Sequence, residues 1–106
     1  MQSVTRDEVR QMLDRREAAL VEVLDQSAFN DFHLPGAINV PLSGDFEHQI
    51  QQAVPDKKQP VIVYCKDKSC DASPKAAEKM EALGYTAVYD YEAGKEDWKS
   101  AGLTVH

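Results

Sequence analysis

Clusters of positive charge are missing from this chain. Twelve Lys and Arg stand against eighteen Asp and Glu, a formal charge of −6, and the longest basic runs are Arg15-Arg16 and Lys57-Lys58. Without a basic patch there is no electrostatic footprint for nucleic acid or an anionic membrane. No apolar run approaches the roughly 20 residues of a membrane span. The opening Met1-Gln2-Ser3-Val4-Thr5-Arg6-Asp7-Glu8 is polar and helical in character, unlike a signal peptide. Cysteine is scarce, with Cys65 and Cys70 alone, too few for a disulfide framework. The expectation is a cytoplasmic protein in a reducing compartment. Gly-rich phosphate loops, a Gly-x-Ser-x-Gly elbow, repeats, linkers and low-complexity segments are also absent. Cys65, Cys70 and His33 lack a fourth ligand and paired spacing, so no zinc site, and no cofactor, is expected.

What is present suits one α/β domain over residues 1–106, with 42% hydrophobic residues for a core. Thr5-Arg6-Asp7-Glu8 has the form of a capping box, followed by Val9, Met12 and Leu13 at helical spacing, which predicts a helix over about 6–18. Leu20 to Leu24 reads as a strand, Ser27 to Phe32 as a helical turn, and Ala37 to Val40 as a short strand stopped by Pro41. Ser43 is placed to cap a helix carrying Phe46, Ile50 and Ala53. Ser73 as N-cap and Pro74 at the first helical position open a helix with Ala76, Ala77, Met80 and Leu83 on one face, ended by Gly84. Thr86 to Tyr89 reads as a strand. Ala93-Gly94 reads as a turn, and Glu96 to Ala101 as a helix carrying Trp98 and ended by Gly102. Strands alternating with helices predict a largely parallel central sheet with helices on both faces.

The segment Val61-Ile62-Val63-Tyr64-Cys65 carries the chemistry. Its apolar run, bounded by Pro60, reads as a strand buried on both faces. Ligands in parallel sheets bind just beyond the carboxyl ends of the strands, where Cys65 stands. The following loop and helix start offer N–H groups and partial positive charge, which stabilise a thiolate.

The chain resembles the single-domain rhodanese family of sulfurtransferases over about Thr5 to Val105. The match runs through Phe29-x3-His33-x-Pro35-Gly36-Ala37-x-Asn39-Val40-Pro41, the strand ending in Cys65, and Ala76-Ala77. It continues with Leu83-Gly84-Tyr85, Val88, Tyr91-x2-Gly94-x3-Trp98 and Ala101-Gly102-Leu103-x-Val105. The resemblance implies a rhodanese-like fold in which Cys65 takes a sulfane sulfur from thiosulfate or a persulfide donor. Cys65 would hold it as a persulfide and pass it to cyanide or a thiol, including a thioredoxin-like protein partner. The active-site loop is then Lys66, Asp67, Lys68, Ser69, Cys70 and Asp71. A monomer is expected.

This loop departs from the family's Cys-x-x-Gly-x-Arg-Ser. Measured to Ser73 it is two residues longer, with neither glycine nor arginine, which implies a differently shaped pocket. The family's Asp-Val-Arg and Glu-Phe pairs are here Val23-Leu24 after Glu22, and Ala28-Phe29. The arginine and its glutamate partner are thus absent together. Lys66 and Lys68 favour a thiolate and an anionic donor, Asp67 and Asp71 oppose this, and backbone N–H groups are left to hold the anion. Cys70 is either a spectator or a resolving thiol that closes a disulfide on Cys65. His33 is read as fixing the turn before Pro35-Gly36, His48 as exposed, and Tyr89, Tyr91 and Trp98 as packing residues.

Three other functions compete. A phosphatase or arsenate reductase needs an arginine six positions after the cysteine, where Asp71 repels an oxyanion. A thiol–disulfide redox switch would use Cys65 and Cys70. A catalytically silent interaction module would use neither.

Overall fold

The computed structural model describes all 106 residues. Five strands are joined by parallel pairing only: β1 (Gln2–Ser3), β2 (Ala19–Glu22), β3 (Ile38–Asn39), β4 (Val61–Tyr64) and β5 (Val88–Tyr91). Their spatial order is β1-β5-β4-β2-β3. The helices are α1 (Arg6–Asp14), α2 (Gln26–Asp31), α3 (Phe46–Ala53), α4 (Ala72–Ala82) and α5 (Gly94–Ser100). This is the expected α/β architecture, with helices on both faces of a parallel sheet.

Two apolar clusters follow from side-chain alternation along the strands. On one face Val21, Val61, Val63 and Val88 pack with Phe46 and Ile50 of α3 and Ala76, Ala77 and Met80 of α4. On the other, Leu20, Ile62, Tyr64 and Tyr91 pack with Val9 of α1 and Trp98 of α5. All four residues of β4 are buried, as its uniformly apolar sequence requires.

Several boundaries correct the sequence reading. The first helix stops at Asp14, four residues early, because Arg16 turns into the left-handed region with φ 55°. There the Arg16 N–H donates to the Leu13 carbonyl and the Glu17 N–H to the Met12 carbonyl, a Schellman closure. The amino terminus, helical in character by sequence, instead forms an edge strand at Gln2–Ser3 on β5. β5 itself lies two residues later than Thr86 to Tyr89, since Thr86 donates from its N–H to the Lys57 carbonyl in the approach to the sheet. Asp45, not Ser43, precedes α3. Asp71, not Ser73, precedes α4, and Ser73 is buried inside its first turn. Gly94 belongs to α5 rather than to a turn before it. The Gly84 end of α4 is as expected: φ is 102°, the Gly84 N–H donates to Glu81 O and the Tyr85 N–H to Met80 O.

Arg16 is the non-glycine residue held at positive φ. Its β-carbon adds strain that glycine does not carry. Arg16→Gly is therefore expected to raise stability by about 0.5–1 kcal/mol, read as a higher urea midpoint at unchanged slope; a lower midpoint contradicts this.

Candidate functional site

The loop of residues 65–71 leaves β4 at the centre of the sheet and enters α4. Cys65 is only 1% exposed and packs within the α3/α4-facing cluster. Its backbone is held from below by the start of α5. The Lys95 N–H donates to the Cys65 carbonyl and the Glu96 N–H to the Lys66 carbonyl, both at 3.0 Å. Gly94 makes this approach possible. A β-carbon there would lie 2.5 Å from the Lys66 oxygen and 2.7 Å from the Asp67 nitrogen, and φ is already +72°. The glycine that looked like a turn signal is where helix and loop touch.

The loop itself is curled by Asp67. Its carboxylate accepts from the Ser69 hydroxyl at 2.6 Å and the Ser69 N–H at 3.0 Å, and its carbonyl accepts from the Cys70 N–H at 3.2 Å. These bonds hold the Asp67 carboxyl below its ordinary range. They also commit two of the N–H groups expected to face a sulfur anion. The N–H groups of Lys66, Asp67, Lys68 and Asp71 have no backbone acceptor and are the loop amides left for that task. Asp71 points its charge outward, paired with Lys75 at 2.9 Å. It therefore stands where an oxyanion-binding arginine would be needed for phosphatase chemistry.

The curl brings Cys70 back onto Cys65. The two form a disulfide, with Cα atoms 6.4 Å apart, inside the usual reach for such a bond. Of the two readings for Cys70, the structure thus places it as a partner within bonding distance of Cys65. Cys70 stays half-exposed while Cys65 is sealed.

Under the opposite face of this strand lies a feature that sequence reasoning missed. Glu22, at the end of β2, is fully buried and pairs with the buried Lys95 at 3.1 Å. The Lys95 ammonium also donates to the Ala28 and Phe32 carbonyls, each at 2.7 Å. All three of its protons are thereby used. Burial pushes the Glu22 carboxyl up, and the Tyr64 hydroxyl and Lys95 pull it partly back. The Tyr64 hydroxyl accepts from the Leu34 N–H at 3.1 Å, and the Glu22 Oε1 accepts no hydrogen bond of good geometry. Burial beside that carboxylate raises the Tyr64 phenol well above its ordinary range. Seventy-three residues separate Glu22 from Lys95; the only signal was a strand ending on a charge beside the missing arginine.

A second buried carboxylate has no such partner. Asp90 on β5 is 0% exposed, and neither of its oxygens accepts a hydrogen bond of good geometry. Burial raises its carboxyl above the ordinary 3.8; the Ser73 hydroxyl eases this and Glu92 adds to it. Ser73 lies inside the first turn of α4 rather than at the helix cap that its sequence position suggested. Cys70, Ser73 and Asp90 line one open pocket of about 290 Å³.

The remaining candidates have packing roles. His33 stacks on Phe29 with ring centroids 3.8 Å apart, and its Nδ1 lies 2.9 Å from the Phe29 carbonyl. Its backbone exchanges two hydrogen bonds with His106, so it ties the end of the chain to the turn. Trp98 donates to the Thr104 carbonyl, and the Tyr91 hydroxyl donates to Asp97 at 2.6 Å. His48 is exposed, and no three His, Cys, Asp or Glu side chains converge as a metal-binding group.

A cysteine at the end of a central parallel strand, in a loop of free N–H groups seated on a helix start, defines a thiol-centred α/β site. The chain belongs to the family of the Rhodanese-like domain, whose model matches residues 5–101. Among its relatives, the thiosulfate sulfurtransferase GlpE of Tolumonas auensis is 30% identical, covering 93% of this chain and 92% of its own. An HTH-type transcriptional regulator of Mycobacterium tuberculosis is 27% identical over 97% of this chain, which spans only 44% of that protein. Of solved structures, the BH2092 protein of Bacillus halodurans superposes with a TM-score of 0.88 at 24% identity. That match covers 99% of this chain and 76% of that one, a likeness of fold. No helix is long and apolar enough to cross a membrane.

Two expectations follow from the buried charges. Lys95→Ala leaves Glu22 buried without its cation, a loss of about 3–5 kcal/mol at neutral pH. Denaturant titration across pH should find a smaller loss in acid, where Glu22 takes up a proton; a constant loss would mean that only packing is affected. Asp90 behaves in the opposite sense. Its folded carboxyl binds the proton more tightly than the unfolded one, so the native state holds more protons. Stability then falls as pH rises from 3.8 through the raised folded value. Asp90→Asn should gain about 1–3 kcal/mol at pH 7, with the gain shrinking toward pH 4. Equal curves at pH 7 would mean that Asp90 is solvated.

Proposed function

We propose that this protein is a sulfurtransferase in which Cys65 carries sulfur as a persulfide. The Cys65 thiolate attacks the sulfane sulfur of thiosulfate, or of a persulfide donor. The S–S bond of the donor breaks, and sulfite or a thiolate leaves. Cyanide or a thiol then attacks the outer sulfur and takes it, returning Cys65 as thiolate. The observation that carries this reading is the seat of Cys65, at the end of β4 with its carbonyl pinned by Lys95 and the free N–H groups of residues 66–68 following it. Those N–H groups and the N-terminal side of α4 favour the thiolate and the persulfide anion. Membership of the Rhodanese-like domain family, and the likeness to thiosulfate sulfurtransferases, support the same reaction class.

The Cys65–Cys70 disulfide favours a second reading, a thiol–disulfide switch without sulfur transfer. In either case the disulfide must open before Cys65 can act as a nucleophile.

The two separate by mass. Reduced protein, freed of reductant and incubated briefly with thiosulfate, is expected to yield sulfite in step with protein. Cys65→Ser should yield none, while Cys70→Ser should gain the mass of one sulfur atom. Sulfite release that survives Cys65→Ser overturns the assignment. Oxidation to the disulfide without any sulfite would favour the switch.

A further inference from the structure

Resting on the sulfurtransferase reading, we propose that Cys70 resolves the Cys65 persulfide within the chain, so that the protein reduces sulfane sulfur to hydrosulfide at the expense of an external dithiol.

The geometry carries this. Cys70 bonds directly to Cys65 across a Cα–Cα distance of 6.4 Å, within a loop whose curl is already set by Asp67 and Ser69. The sulfur that Cys70 reaches is therefore the Cys65 Sγ, the inner atom of a persulfide. Attack there by the Cys70 thiol forms the Cys65–Cys70 bond and breaks the bond to the outer sulfur. The proton of Cys70 leaves with that sulfur as hydrosulfide. Charge balances, from a persulfide anion and a thiol to a disulfide and HS⁻. The sulfane sulfur gains two electrons, and the two cysteine sulfurs lose one each.

The surroundings favour departure of the product. The pocket beside Cys70 is lined by Glu92 and Lys68, one charge of each sign, while Asp71 is held on Lys75 and Asp90 is buried. Such walls offer a mobile anion no net attraction. They differ from the free N–H groups of residues 66–68, which hold the anion only while it is tethered to Cys65.

The disulfide that remains also has a direction. In the disulfide Cys65 is 1% exposed, whereas Cys70 is partly exposed at the pocket. An incoming dithiol must bond to Cys70 and expel Cys65, the sulfur whose thiolate the loop stabilises. Its second thiol then releases Cys70 and completes the cycle.

The test is a single turnover, without oxygen, on reduced and desalted protein. Thiosulfate is the donor, with glutathione persulfide as a second donor, and sulfite, hydrosulfide and intact protein mass are read together. The expected result with thiosulfate is one equivalent each of sulfite and hydrosulfide and a protein two hydrogens lighter. Cys70→Ser should give sulfite, keep the added sulfur, and release at least tenfold less hydrosulfide. A wild-type persulfide that persists with no hydrosulfide overturns the resolving step and leaves the sulfurtransferase standing. If neither donor loads sulfur onto Cys70→Ser, the sulfurtransferase reading falls, and this inference with it. Direction is read separately: a thioredoxin-type dithiol with one cysteine removed should trap on Cys70 of the wild-type disulfide, mapped by peptide mass. A trap on Cys65 refutes the proposed order.

Discussion

Lys95 is where the sheet, the loop and the flanking helices are tied together. Its N–H fixes the carbonyl of Cys65, and its ammonium reaches through to Glu22 on the neighbouring strand. The same ammonium holds the Ala28 and Phe32 carbonyls, so α2 and the turn after it are anchored to the end of the sheet. A buried ion pair on its own contributes little to stability, because desolvation offsets the attraction. Its value here is positional. A buried charge with every proton committed has one placement, and the backbone that carries it inherits that placement.

The two sides of β4 then differ in a way that matters for chemistry. On the α5 side, Lys95 pairs with one oxygen of Glu22, and the carbonyls of residues 65 and 66 are spoken for. That side is rigid. On the α4 side, Asp90 is buried without a good hydrogen-bond partner, and the loop N–H groups nearest Cys65 remain unpaired. Unsatisfied groups are costly in a core. They stand on both sides of the strand that ends in Cys65, Glu22 Oε1 on one and the Asp90 oxygens on the other.

What the sequence made legible was local and periodic. The buried strand ending in Cys65 follows from its unbroken β-branched run, and the end of α4 follows from Gly84. Both survive because one strong signal met no competitor. Ser73 fails as a cap because the helix already starts at Ala72, which buries Ser73 in its first turn. Gly94 carried a correct glycine signal with the wrong meaning, since its need is the approach to Lys66 rather than a turn. Glu22 and Lys95 were unreadable as a pair. Nothing in either segment announces a contact across 73 residues, and the joint absence of the family's arginine and glutamate points away from an ion pair there.

The unusual loop gains a physical account from the same contacts. The family pattern places a glycine and an arginine after the cysteine. Here the bend is made by Asp67, which turns Ser69 and Cys70 back with three hydrogen bonds. An aspartate can do this without positive φ, because its side chain supplies the acceptor that a glycine turn would take from the backbone. The cost is that two N–H groups face Asp67 instead of a bound anion. The return is a second sulfur set against the first. A loop with fewer amides for an anion and a thiol in reach is poorly suited to storing a persulfide and well suited to discharging one. On the proposed sulfur chemistry, the exchange of glycine and arginine for Asp67 and Cys70 therefore reads as one coupled change at the site.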